Sequence, residues 1–286
     1  MDFLQVDVFA DKAFSGNPLA VFPNASALSS AQMQAIASEM NLSETSFVTG
    51  ISKTTYDVRI FTPAQELPFA GHPTIGTAWT ISHLELTAEE RLTQRSAAGD
   101  TYVFVKDGRW WFVREGAAGE DLEDKDERAA GRIADALGIE PGDIGLEARE
   151  LGRAGRLRPA VSDAGIGHLM IPVADLEVLQ RIRPRAELLA GVTNSGAYCF
   201  TGAGAGRIRA RGFFPGAGIA EDPATGSAAA ELGIYLAARV GALEMEISQG
   251  TEIGRPSRIF LRAKPGRVEV GGRCEPVLEG RLSALP

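Results

Sequence analysis

Two short blocks recur, in the same order, in the two halves of this chain. Arg59-Ile60-Phe61-Thr62-Pro63 resembles Arg211-Gly212-Phe213-Phe214-Pro215. Downstream, His72-Pro73-Thr74-Ile75-Gly76-Thr77-Ala78 resembles Asp222-Pro223-Ala224-Thr225-Gly226-Ser227-Ala228. In each half the pattern predicts a strand ending at proline, a loop, and then a polar residue capping a helix that starts on proline. Proline suits the first helical position because its missing N–H would be unpaired there anyway. One such match is within reach of chance, but two in matching order and at nearly equal separation point to duplication. A period of half the chain excludes a solenoid. The 286 residues suit two units of about 140 each.

Local patterns fill in each half. Leu4, Val6 and Val8 alternate with Gln5 and Asp7, which is strand periodicity. Gly16-Asn17-Pro18 turns the chain into the apolar run 19–22. Ser29 and Gln32 form an S-x-x-Q capping box, and Met33, Ile36, Ala37 and Met40 follow at helical spacing, so a helix is expected over roughly 30–40. Phe47-Val48 and the alternating Tyr56, Val58 and Ile60 read as strands. A helix is expected to begin at Gly71-His72-Pro73, with Ile75, Ala78, Trp79 and Ser82 as its buried face. The stretch 102–113 reads as a hairpin turning at Asp107-Gly108, a preferred two-residue turn.

Residues 116–128 are polar, with Asp121, Glu123, Asp124, Lys125, Asp126 and Glu127, and read as the link between halves. The expected lobes are 1–116, with 275–286 returning to the first, and 117–274. In the second half a helix is expected over 128–137, stopped by Gly138. Strands follow over 168–173, 198–201 and 207–214, then a helix over 228–238 closed by Gly241, and strands near Met245, Ile259 and Val268.

A formal charge of −8 argues against a nucleic-acid partner, which needs a positive footprint. No stretch approaches the roughly 20 apolar residues of a membrane span, and the start Met1-Asp2-Phe3-Leu4 lacks a basic leader region. The composition is that of a soluble, cytoplasmic protein with no membrane partner.

A helix N-terminus offers unpaired N–H groups and the positive end of a dipole, so it binds carboxylates and other anions. Two such termini facing each other, one with His72 and one with Asp222, would grip an anionic substrate between titratable groups. Ordinary capping explains Asp222 alone; histidine is an unusual cap, and it stands at the matching position. Glu44, in Asn41-Leu42-Ser43-Glu44-Thr45-Ser46-Phe47, lies where a helix ends and a strand begins, an edge whose side chains often reach a cleft. By composition alone an exposed surface glutamate is the commoner reading.

Five motifs carry a resemblance: D-x-F-x-x-x-x-F-x-G-N-P at 7–18, N-L-S-E-T-S-F at 41–47, G-H-P-T-I-G-T-A at 71–78, E-D-P-A-T-G-S-A at 221–228 and Q-G-x-x-x-G-R-P-S at 249–257. In this order they resemble the phenazine-biosynthesis PhzF-like isomerase and epimerase family; the stretch from about 115 to 165 carries no matching motif. The resemblance implies an α+β, diaminopimelate-epimerase-like fold of two pseudo-symmetric barrel lobes, each a mixed sheet wrapped around a central helix, with the active site shared between them. It also implies a homodimer and no cofactor. The best-known activity of the family isomerises trans-2,3-dihydro-3-hydroxyanthranilate by moving a proton. Carried over motif by motif, Glu44 becomes the general acid/base, assisted by His72 and Asp222. Ser43, Gly71, Pro73, Gly226 and Ser227 would line the substrate site, and the substrate expected is a small anionic metabolite.

Three rival readings stand beside this one. Gly202-Ala203-Gly204-Ala205-Gly206 suggests a dinucleotide fingerprint, but the alternation from Arg207 reads as a strand where that motif needs a helix. Three histidines without zinc-like spacing count against a metal enzyme, with His83 expected to end a helix and His168 to begin a strand. A non-catalytic binding protein that kept the fold is the third. Cys199 and Cys274 lie in neither cap motif, which disfavours a two-thiol racemase of this fold.

Overall fold

The computed structural model describes residues 1–122, 126, 128–204 and 206–286. The chain divides into two compact units, Met1–Val113 with Gly271–Pro286, and Arg114–Val270.

In the first unit Asp2–Val8 pairs antiparallel with Asn17–Phe22 and with the C-terminal strand Cys274–Arg281. Asn17–Phe22 then runs parallel to Glu44–Ile51, the connection carrying the helix Ser30–Met40. Glu44–Ile51 pairs antiparallel with Thr55–Phe61, and that strand with the short Glu66–Leu67. After the helix Gly71–His83 the chain returns as Arg91–Ser96, parallel to Thr55–Phe61, and finishes in the antiparallel strands Gly99–Lys106 and Arg109–Glu115. The alternating polar Arg91–Ser96 was not legible as a strand.

The second unit repeats this order. Ala160–Asp163 pairs antiparallel with His168–Pro172, which runs parallel to Ala197–Gly202 across the helices Leu176–Arg181 and Ala186–Val192. Arg207–Phe214, Ile219–Asp222, the helix Gly226–Val240, and Leu243–Gln249 parallel to Arg207–Phe214 follow in turn. The two proline-ended blocks carry the same side-chain device. Arg59 makes a two-pronged bond to Glu66 (2.8 and 2.6 Å), and Arg211 does the same to Glu221 (2.9 and 2.7 Å).

The local signals formed as read where neighbours decide them. Ser29 and Gln32 make both halves of the capping box, and Gly138 ends the helix Ala129–Leu137 in the left-handed region. Asp107 and Gly108 both take positive φ (53° and 67°), the geometry of the tight hairpin turn between strands.

Both long helices are central rather than one-faced. Every residue of Gly71–Ala78 is buried, and so is every residue of Gly226–Ala237. A helix apolar all round belongs inside a core. The expected single face at Ile75, Ala78, Trp79 and Ser82 is therefore corrected: Trp79 and Ser82 are the less buried positions. A Cβ on Gly76 would stand 2.6 Å from Leu19 Cδ2 and 2.7 Å from Val8 Cγ2, so glycine is what lets this helix lie on those strands. Outer helices cover the sheets. Met33, Ile36 and Ala37 pack on Phe22, Phe47 and Phe61, while Ile133, Leu137, Val178 and Leu189 pack on Leu169, Ile171 and Cys199.

The expected link at 116–128 is in part sheet: Ala117–Asp121 pairs antiparallel with Ala160–Asp163 inside the second unit. Glu123, Asp124, Lys125 and Glu127 of that run lie outside the described residues, as does Ala205 of the glycine loop. Among the described residues, no helix is long and apolar enough to cross a membrane.

Candidate functional site

Three elements of the first unit bring Glu44, His72, Ser43 and Asn17 together. The parallel pairing places Leu19 opposite Glu44, so Asn17, two residues earlier, stands at the same sheet end as Ser43 and Glu44. The helix Gly71–His83 starts against that end. Ser43 Oγ donates to Asn17 Oδ1 at 3.2 Å, and Asn17 Nδ2 lies 3.3 Å from His72 Nδ1. His72 Nε2 then lies 3.6 Å from Glu44 Oε2. Asn17, His72 and Glu44 are 0%, 4% and 9% exposed, so these polar groups meet in a nearly dry site. Gly71 and Pro73 flank His72 and are buried; Ser43 is half-buried.

Burial alone sets the state of His72. It pushes the imidazole from its ordinary 6.5 down to about 3, because a charged ring loses more on leaving water than a neutral one. His72 is therefore neutral at neutral pH. Nor is it a cap: the N-cap is Ala70, without a side-chain bond, and His72 and Pro73 are the second and third residues of the helix. Proline is harmless there, since the first four N–H groups have no partner within the helix.

Asp222 sits differently. It ends the strand Ile219–Asp222, and the helix after it starts at Gly226 with Thr225 as N-cap, so neither Asp222 nor Pro223 begins that helix. Thr225 Oγ1 donates to Asp222 Oδ2 at 2.5 Å. Gln249 holds both residues: its Nε2 donates to Asp222 O (2.8 Å) and Thr225 Oγ1 (3.0 Å), and its Oε1 accepts from Thr225 N (3.2 Å) and Tyr198 Oη (2.8 Å). This amide is fully engaged and 0% exposed. Gly226 and Ser227 are the first two helical residues, both buried.

Sequence reasoning missed Asn17, Thr225, Gln249 and Tyr198. The first three stood inside quoted motifs, so the signal was present and went unused. Tyr198 carried none.

The remaining candidates resolve structurally. His83 ends its helix, stacked on Trp79. His168 begins its strand, and its Nδ1 is hydrogen-bonded to buried Glu231. Glycines 202–206 join two strands paired antiparallel, as a hairpin and not a strand-to-helix phosphate loop. Cys199 and Cys274 are free and buried, and burial pushes both thiols up, away from the reactive thiolate. Among the described residues, no three His, Cys, Asp or Glu side chains gather as a metal site.

The sequence pattern of the family described as phenazine biosynthesis-like protein matches residues 6–280. A trans-2,3-dihydro-3-hydroxyanthranilate isomerase of Pseudomonas fluorescens is 39% identical over 96% of this chain and 94% of its own length. Among solved structures, a predicted epimerase of Pseudomonas aeruginosa is 29% identical with a TM-score of 0.80, and each chain is covered to 99%. A PhzF-family phenazine biosynthesis protein of Bacillus anthracis shares the fold at a TM-score of 0.83 and 24% identity, again over 99% of both chains.

Proposed function

The chain belongs to the phenazine biosynthesis-like family and is an isomerase, and from that premise we propose that it moves a proton on a small carboxylate-bearing metabolite, with Glu44 taking and returning it. The observation that carries the reading is a carboxyl 9% exposed, at the first position of a strand, beside a neutral histidine. A general base must reach the proton it abstracts and then act as the acid that returns it. One carboxyl does both: a C–H bond breaks as its O–H forms, and the reverse step delivers the proton to another carbon. No electrons leave the substrate, so the step as proposed needs no cofactor.

His72 supports Glu44 by holding substrate. Because it is neutral, it brings no full positive charge beside the carboxylate. Ser43, Gly71 and Pro73 are assigned to substrate binding around it. In the second unit Asp222 is assigned an assisting role, with Gly226 and Ser227 binding the substrate's anionic group. Homodimeric assembly belongs to the same reading and rests on resemblance, and a cytoplasmic location rests on composition.

The test uses trans-2,3-dihydro-3-hydroxyanthranilate as the probe substrate and follows deuterium wash-in from solvent. Glu44→Gln keeps the shape of the side chain and removes its basicity. It is expected to bind the probe and to lower exchange by at least about 10²-fold, the scale of a lost general acid/base. Near-wild-type exchange at equal occupancy would falsify the assignment.

A further inference from the structure

We infer that Asn17 is a positioning residue that holds His72 in the Nε2–H tautomer, so that the ring turns a donor, and not a base, toward Glu44. The inference rests on the reading of Glu44 as the group that moves the proton.

Two independent contacts select the tautomer. The Asn17 amide stands with Oδ1 accepting from Ser43 Oγ (3.2 Å) and with its nitrogen toward His72 Nδ1 (3.3 Å). An N–H pointed at Nδ1 requires that nitrogen to offer its lone pair, and a neutral ring then carries its proton on Nε2. On the other side of the ring, Nε2 lies 3.6 Å from Glu44 Oε2 in a site where both side chains are nearly dry. A nitrogen lone pair facing a carboxylate there would be repelled, whereas an N–H is attracted. Both edges of the ring favour one arrangement. His72 Nε2 has no hydrogen-bond partner among the described residues, so its N–H is available to an incoming oxygen.

The consequence is a division of labour. With Nδ1 occupied by Asn17 and Nε2 protonated, the ring has no lone pair to accept the substrate's proton. Glu44 is the base of the pair, and His72 donates to the oxygen on which negative charge gathers as the proton leaves. Oriented donors of this kind act without reorganising during the reaction. A proton relay through His72 would need the opposite tautomer, with the Asn17 amide turned over.

The experiment is two-bond nitrogen–proton correlation NMR on the full chain labelled with ¹⁵N-histidine, near pH 7.5. His72 is assigned by the signals missing in His72→Gln, since the chain has three histidines. The expected pattern is an unprotonated Nδ1 and a protonated Nε2; an Nδ1–H pattern, or protonation of both nitrogens, overturns the inference. In Asn17→Asp a carboxylate faces Nδ1, so the proton is expected to move to Nδ1 and deuterium exchange to fall by at least about ten-fold. Unchanged exchange with a reversed tautomer overturns the catalytic consequence, and lost exchange with the tautomer retained reduces Asn17 to a structural role. Should Asn17→Asp not fold, the wild-type spectrum alone still decides the tautomer. That spectrum is taken without substrate, so it stands or falls separately from the Glu44→Gln result.

Discussion

The two units place different residues at one position of the same framework. In the first, parallel pairing sets Leu19 opposite Glu44; in the second, the equivalent pair sets Leu169 opposite Ala197. Each is the first residue of its strand, and Ala197 is fully buried. The framework is therefore satisfied by a methyl group here, and a carboxyl at this place has a purpose other than folding.

The glutamates that are buried sharpen the contrast, because each unit has one beside a histidine. Glu231, 1% exposed on the second central helix, accepts from the backbone N–H groups of Ala164, Ile166, Gly167 and His168 and bonds the His168 ring. Burial pushes this carboxyl up, but the bond and charge of His168 and the N–H groups outweigh it and hold the carboxyl below its ordinary 4.5. Such a carboxylate is a clamp for the loop 163–168. Glu44 and His72 stand 3.6 Å apart, too far for a hydrogen bond, so they do not form a clamp of that kind.

Ala197→Glu puts the residue of the first unit into the second and gives the largest expected effect. It buries a charge in an apolar cluster, where the cost is on the order of 4 kcal/mol or more. A variant as stable as wild type by calorimetry would show that the two strand ends are not equivalent environments. Next comes Glu231→Ala, which strands the His168 ring and four N–H groups. A loss of about 3–5 kcal/mol is expected, with deuterium exchange per folded molecule unchanged. If instead exchange collapsed while stability held, Glu231 and not Glu44 would be the functional member of the two pairs.

How much of this was legible depends on how far apart the deciding residues lie. The capping box at Ser29 and Gln32 and the turn at Asp107-Gly108 are settled by neighbours, and they formed as read. The caps of proline-initiated helices read at His72 and Asp222 did not. Aligned residues of the repeat occupy different helical positions: Gly76 is the sixth residue of its helix and Gly226 the first of its own. That offset exceeds the one or two residues by which helix ends are ambiguous. Motif identity fixed the order of residues, while Ala70 and Thr225 set where each helix begins. Glu44 and His72 were reachable through their motifs, but the Asn17 contact to His72 spans 55 residues and the His168–Glu231 pair 63. No local pattern in the chain announces pairings of that range.

The smallest effect expected separates the two histidines by pH. His72 titrates at 6.5 when unfolded and at about 3 when folded, because burial disfavours its charged form. Between those values the unfolded chain binds a proton that the folded chain refuses, so stability falls as pH drops below 6.5. At pH 5 the gap amounts to about 1.5 units at about 1.36 kcal/mol each, or about 2 kcal/mol; at pH 7.5 it vanishes. Glutamine at position 72 carries no titrating group, so His72→Gln should lose about 2 kcal/mol less than wild type between pH 7.5 and pH 5. The three tryptophans, Trp79, Trp110 and Trp111, all lie in the first unit, so their fluorescence during denaturant unfolding reports on the unit that holds His72. Equal losses in the two proteins would mean that His72 is solvated or paired enough to keep an ordinary pKa. A charged His72 would then stand beside Glu44, and the dry site with a neutral ring that distinguishes the first unit from the second would no longer exist.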